Sequence, residues 1–279
     1  MSTLAWIITF TVLGGLLSVS IAGLVLLLPT TRRTAALPHL VSFATGALLG
    51  AALLKLLPYA IQSAGLSNLH LVTLSLIAGI FAFFVLEKLV LWRHCHEEDC
   101  EPHTPAHSHA GHTHETPSHG GANSRVPSQQ QRDYASAMLI LAGDAIHNAL
   151  DGVMLAAAFL TDVRLGIVTG IAVIAHEIPQ EVGDFAILLN GGLSRARALA
   201  LNLLTSLTSV VGGVVGYFAL SHAMGVLPYA LAVTAASLLY VAVADLIPGL
   251  HRRTDPVAGA QQVALIAIGI AVIVLTDVH

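Results

Sequence analysis

Long apolar runs alternate with short polar segments along the whole chain, at 4–28, 40–61, 69–92, 135–160, 165–189, 198–220, 226–250 and 262–277. Each is long enough to cross a hydrocarbon layer of roughly 30 Å as a helix. The pattern predicts an all-α polytopic membrane protein with eight transmembrane helices. The first run lacks a positively charged start and an obvious small-residue cleavage site, so it reads as a retained helix rather than a signal peptide.

Composition agrees and narrows the class. Of 279 residues, 55% are apolar and 10% charged, with a mean hydropathy of +0.78, outside the range of soluble globular domains. The net charge of −4 is spread thinly and no basic block suggests a nucleic-acid partner. With two cysteines, Cys95 and Cys100, a disulfide framework is excluded. Arg32, Arg33, Arg93, Arg125, Arg132, Arg195, Arg197, Arg252 and Arg253 fall in the loops after the odd-numbered helices, against Arg164 alone after the even ones. By the positive-inside rule the odd loops face the cytoplasm and both termini lie outside, as in a plasma (inner) membrane protein.

Organisation follows the same pattern: helices 1–3 over 1–93, a long polar loop over 94–132, and helices 4–8 over 133–279, together one membrane domain. The loop holds eight of the fifteen histidines, interleaved with Pro, Ser, Gly and acidic residues. It has no core-forming side chains and is predicted to be disordered. The His-x-His pairs His107/His109 and His112/His114, beside Glu97, Glu98, Asp99 and Glu101, suit a borderline metal ion better than an incidental linker does.

Ionisable residues inside apolar runs are functional candidates, because each costs about 2.5–3.5 kcal/mol at mid-bilayer even on the lenient insertion scale. Helix 4 has Asp144, His147, Asn148 and Asp151 at i, i+3, i+4 and i+7, which share one face. Helix 5 has His176, Glu177, Gln180, Glu181 and Asp184 around Pro179, in two adjacent stripes, His176 with Gln180 and Glu177 with Glu181 and Asp184. Imidazoles and carboxylates from two facing helices can surround a divalent cation and offset its charge. Pro179 lacks an N–H, is expected to leave the Ala175 carbonyl free and to kink helix 5 beside His176, as where transporters line a midplane site with a broken helix. Polar glue between the helices would require only small residues with one or two Asn or Ser.

These residues resemble a known pattern. His147-Asn148-Ala-Leu-Asp151-Gly152 and His176-Glu177-Ile-Pro179-Gln180-Glu181-Val-Gly183-Asp184 are similar to the helix 4 and helix 5 signatures of the ZIP (Zrt/Irt-like) metal transporters, in their LIV-1 branch. The resemblance covers essentially the whole chain. It implies a homodimer in the lipid bilayer that moves Zn²⁺, or a related Fe²⁺, Mn²⁺ or Cd²⁺ ion, toward the cytosol, with no catalytic cofactor. It further implies a primary site of His147, Asp151, His176 and residue 180, and a flanking second site of Asn148, Glu177 and the shared Asp151, with Glu181 close by. Two departures stand out: Gln180 where the branch commonly has His, and Ser209 where binuclear relatives offer a carboxylate.

An internal match supports the architecture without the family. Residues 47–58 align without gaps to 237–248, and the charged residues Lys55 and Asp245 fall at equivalent positions with opposite sign. Opposed orientations make this an inverted repeat of helices 1–3 and 6–8 around helices 4 and 5. Lys55, Asp245, Asp144 and Asp184 are candidate pathway or gate residues, Lys55 and Asp245 as an ion pair. Glu87 and Lys88 read as snorkelling side chains, and His39, His70, His222, His251 and His279 as interfacial ones. Two alternatives remain: a divalent metal exporter, and an intramembrane zinc protease, which would want His-Glu-x-x-His where this chain has Gln180.

Overall fold

The computed structural model describes residues 1–92, 129–251 and 255–276. The loop histidines His107, His109, His112 and His114 lie outside them. Among the described residues eight long helices form the fold: α1 (Thr3–Leu27), α2 (Thr30–Gly50, a π turn Ala51–Leu56, then Leu57–Ala64), α3 (Leu69–Trp92), α4 (Gln129–Thr161), α5 (Val163–Asn190), α6 (Arg195–Ser206 and Thr208–Ser221), α7 (Leu227–Tyr240, a π turn Val241–Leu246, then Ile247–Leu250) and α8 (Pro256–Leu275). Seven are long and apolar enough to cross a membrane. The exception, α5, carries the polar run His176–Asp184, buried inside the bundle rather than facing lipid.

Several helices start before their apolar runs, and the cause is local. Asp162 accepts from the backbone N–H groups of Arg164 and Leu165, Ser194 from Arg197 and Asp255 from Ala258 ahead of Pro256, so each satisfies orphan donors of a first turn. α5 runs on through Pro179 to Asn190, so the proline lies inside a continuous helix. Neighbouring helices hold it where propensity alone would not.

The helices form two groups. α1, α4, α5 and α6 pack on one another; α2 packs on α3, α7 and α8, and α3 on α7; the groups meet chiefly where α2 packs on α5 and α7 on α4. Exchanging α1 with α6, α2 with α7, α3 with α8 and α4 with α5 maps the main pairings onto one another: α1–α5 onto α6–α4, α2–α8 onto α7–α3 and α2–α5 onto α7–α4. Local geometry obeys the same exchange. The two π turns occupy equivalent residues of the repeat, with Lys55 and Asp245 fifth in each and a proline, Pro58 or Pro248, two residues after the turn ends. Lys55 is buried and Asp245 exposed. π turns often mark functional positions.

Lipid-facing and buried sides are inverted relative to a soluble protein. α3 and α8 are peripheral, each with only 11% of its most apolar stretch buried, while α2 reaches 61%. Inside, small residues bring backbones together, as expected where lipid supplies no hydrophobic drive for helix association. A Cβ on Gly152 of α4 would sit 1.9 Å from the Ser209 carbonyl of α6, and one on Gly212 of α6 would sit 1.9 Å from the Ala149 carbonyl of α4.

One expectation needs correcting. Glu87 does not snorkel: the Tyr240 hydroxyl of α7 donates to its carboxylate, a tie between α3 and α7. Lys88 lies with its Nζ 6.0 Å from the Phe84 ring centre.

Candidate metal site

The one-face spacing on α4 and the two stripes on α5 meet at the α4–α5 contact. His147 Nε2 lies 3.2 Å from His176 Nε2, the rings edge to face at a centroid distance of 5.5 Å. Asp151 Oδ2 lies 3.4 Å from His176 Nε2 and 3.7 Å from His147 Nε2, and Glu177 Oε1 lies 4.0 Å from His176 Nε2. One ligand atom from each of these four residues falls within 4.8 Å of all the others. A tetrahedral zinc with arms of 2.0–2.1 Å has ligand–ligand edges of about 3.3 Å. The observed separations therefore fit one ion of that size with small adjustments.

Hydrogen bonding leaves the lone pairs free for that ion. His176 directs Nδ1 at the Ala172 carbonyl, 3.3 Å away, so Nδ1 carries the hydrogen and Nε2 is the bare acceptor. Both Asp151 oxygens and Glu177 Oε1 are buried without a hydrogen-bond partner. Buried carboxylates are ordinarily satisfied, and orphaned ones beside two imidazole acceptors call for a cation. His147 is the most open member, with its side chain 19% exposed against 1% for Asp151 and His176.

The remaining candidates sit around this group in other roles. Asn148 and Gln180 both donate amide hydrogens to Asp144 Oδ1, at 2.9 and 3.1 Å, so Asp144 is held between α4 and α5. Its Oδ2 is buried and unpartnered. Glu181 turns away from Glu177 to accept from the Ser206 hydroxyl at 2.8 Å, and the Asn202 amide donates to the Glu181 carbonyl at 3.4 Å. Asp184 is buried one turn further on, with Oδ2 also unpartnered. Ser209 lines a cavity of about 10 Å³ with Asn148, Asp151 and Glu177, room for about one water or small ion. Its hydroxyl donates to the Ser206 carbonyl, so α6 brings no carboxylate there.

Asn202 and Ser206 are the functional neighbours that sequence reading missed. Their signal was available: two polar side chains at i, i+4 within an apolar helix, the spacing that faces one neighbour. Thr208 adds a third tie, its hydroxyl donating to the Ala145 carbonyl at 2.7 Å and fixing α6 to α4 just below the site.

Comparison with known proteins gives the same reading from outside the structure. A family model described as ZIP zinc transporter matches residues 3–277. The chain is 34% identical over 255 residues to human zinc transporter ZIP4, covering 77% of this chain and 39% of that protein. It is 34% identical over 271 residues to human zinc transporter ZIP13 and 30% identical over 270 residues to zinc transporter YKE4 of Saccharomyces cerevisiae. In those two pairs it covers 86% and 89% of itself, and 70% and 73% of the relative. Of ZIP4 and of human ZIP10, a further relative, it spans about two-fifths and one-fifth.

Proposed function

The chain belongs to the ZIP zinc transporter family, and from that premise we propose that it carries divalent metal ions, zinc foremost, across the membrane toward the cytosol. Members of the family are transporters and not enzymes, which removes the protease alternative. The observation that carries the proposal is the convergence of His147, Asp151, His176 and Glu177 within 4.8 Å, with buried carboxylate oxygens that nothing else satisfies.

In this reading the ion is held between α4 and α5, with the more open His147 on the side toward the cytoplasmic start of α4. The ion leaves along the unpartnered oxygens of Asp144 and Asp184, which follow the site along α4 and α5 toward the odd-numbered loops. The positive-inside count puts those loops in the cytoplasm and both termini outside, and the protein acts as a homodimer. Fe²⁺, Mn²⁺ and Cd²⁺ are the related ions such a mixed nitrogen and oxygen site accepts.

Reconstitution in liposomes tests this, with entry of Zn²⁺, Mn²⁺, Fe²⁺ and Cd²⁺ followed with and without a pH gradient. Zn²⁺ is expected to enter fastest. Cells expressing the protein are expected to accumulate zinc; net loss of cellular zinc would instead make it an exporter.

Selectivity gives a sharper result. Gln180 sits one turn after His176, and its amide is bound to Asp144 Oδ1. The variant Gln180→His replaces that amide with an imidazole in reach of the group and releases Asp144. The Zn²⁺-to-Mn²⁺ transport ratio is expected to rise several-fold, because a nitrogen ligand favours zinc. An unchanged ratio would leave residue 180 outside the metal's coordination.

A further inference from the structure

A cavity apart from the metal site opens on the lipid-facing side of the bundle. Its volume is about 500 Å³, within the roughly 300–1,000 Å³ of ligand pockets. Leu24 and Leu27 of α1, Phe185 of α5 and Leu199 of α6 form apolar walls, and the three leucines are exposed, so the groove is continuous with the hydrocarbon around the protein. Arg33 of α2 and Arg195 of α6 stand at one end, and no acidic residue lines the cavity. Neither guanidinium has a carboxylate partner among the described residues. Arg195 is the first residue of its helix and Arg33 the fourth of α2, so both charges sit at helix ends, at the level of a membrane interface.

We propose that this groove is a binding site for one anionic phospholipid, its acyl chain along α1 and α6 and its phosphate held by Arg33 and Arg195. An apolar trough open to lipid, closed at its interfacial end by two unpaired guanidiniums, matches a phospholipid in shape and charge together. Arginine presents forked donors suited to phosphate oxygens, and basic pockets between helices at the cytoplasmic surface are a recurrent way of holding anionic headgroups. Gly23 leaves the floor open: a Cβ there would meet only Leu199 Cδ1, at 3.6 Å. Occupancy would bind α1, α5 and α6 to the start of α2, which belongs to the other helix group, and so couple lipid composition to the relation between the groups.

The test is native mass spectrometry of the full chain purified in detergent with phosphatidylglycerol or phosphatidylcholine. One phosphatidylglycerol per chain is expected to be retained in preference. Attraction of basic side chains at a membrane surface predicts that Arg33→Gln or Arg195→Gln lowers that preference about fivefold and the pair together about 25-fold. Arg32→Gln with Arg197→Gln, which do not line the cavity, is expected to change it little. Gly23→Leu keeps both arginines but fills the groove, and is expected to exclude the lipid while metal-dependent thermal stabilisation is retained. Equal retention of the two lipids, equal loss in the two arginine pairs, or displacement by soluble glycerophosphate alone would overturn the site. Conversion of a dimer to a monomer by Gly23→Leu would assign the groove to a second copy of the chain, and so overturn it too.

Discussion

Replacing His147, Asp151 or His176 with alanine is expected to abolish metal flux while leaving the protein folded in the membrane. Each residue supplies an atom to the group, the one found among the described residues, in which two imidazole nitrogens and two carboxylate oxygens converge. Loss of a partner that merely orients a ligand already costs 10–100-fold in metal affinity, and loss of the ligand itself is expected to exceed that. Folding should not suffer equally. The Asp151 oxygens have no hydrogen-bond donor in the folded protein, so Asp151→Ala removes a buried group that only a cation would satisfy. Thermal stability without metal is thus expected to be maintained or raised in that variant. The rise in melting temperature on adding Zn²⁺, which ligand binding to the native state produces, is expected to vanish. Retained flux in any two of the three variants would remove the basis for the site.

Much of this site was legible because the requirement is one of periodicity. Asp144, His147 and Asp151 share a face of any α-helix, and His176 and Glu177 cannot be placed in an apolar helix without a purpose. What spacing cannot give is the partner. Glu177 and Glu181 stand four residues apart on one stripe, yet Glu177 turns to His176 while Glu181 turns to the Ser206 hydroxyl. That division depends on what α6 presents, which one helix's sequence does not contain. Gln180 is similar: its spacing from His176 made it a ligand candidate, and Asp144 across the helix pair engages its amide.

The fold shows the same limit. Eight apolar runs gave eight helices among the described residues, and an ungapped match of twelve residues pointed to a repeat whose main helix pairings exchange. Helix starts were harder to read, since an apolar count is blind to the capping side chains of Asp162, Ser194 and Asp255. The π turns were not legible at all. Ala51–Leu56 and Val241–Leu246 contain no Gly or Pro to mark them, and both lie where α2 and α7 pack together.

Two glycines of the paired signatures look equivalent in sequence, and the structure separates them. Gly152→Ala is expected to be severely destabilising and to lose transport. The added Cβ would lie 1.9 Å from the Ser209 carbonyl oxygen and 2.6 Å from the Gly213 nitrogen. Both are backbone atoms, so no rotamer change relieves the contact and α4 must move away from α6. Forced overpacking costs about 1–3 kcal/mol where neighbours can yield, and here the value belongs at or above the upper end. The displacement also acts on function, because Asp151 is the preceding residue and the Thr208 bond to Ala145 ties α4 to α6 nearby. Gly183→Ala is the control. A Cβ there meets nothing within 4 Å, and the position is interior to α5. Alanine at such a site gains up to about 1 kcal/mol of helix propensity over glycine, so stability is expected to hold or rise and flux to continue. Thermal unfolding in detergent together with Zn²⁺ uptake in liposomes separates the two variants. Equal tolerance of both would mean that α4 and α6 do not approach as closely as Gly152 and Gly212 allow.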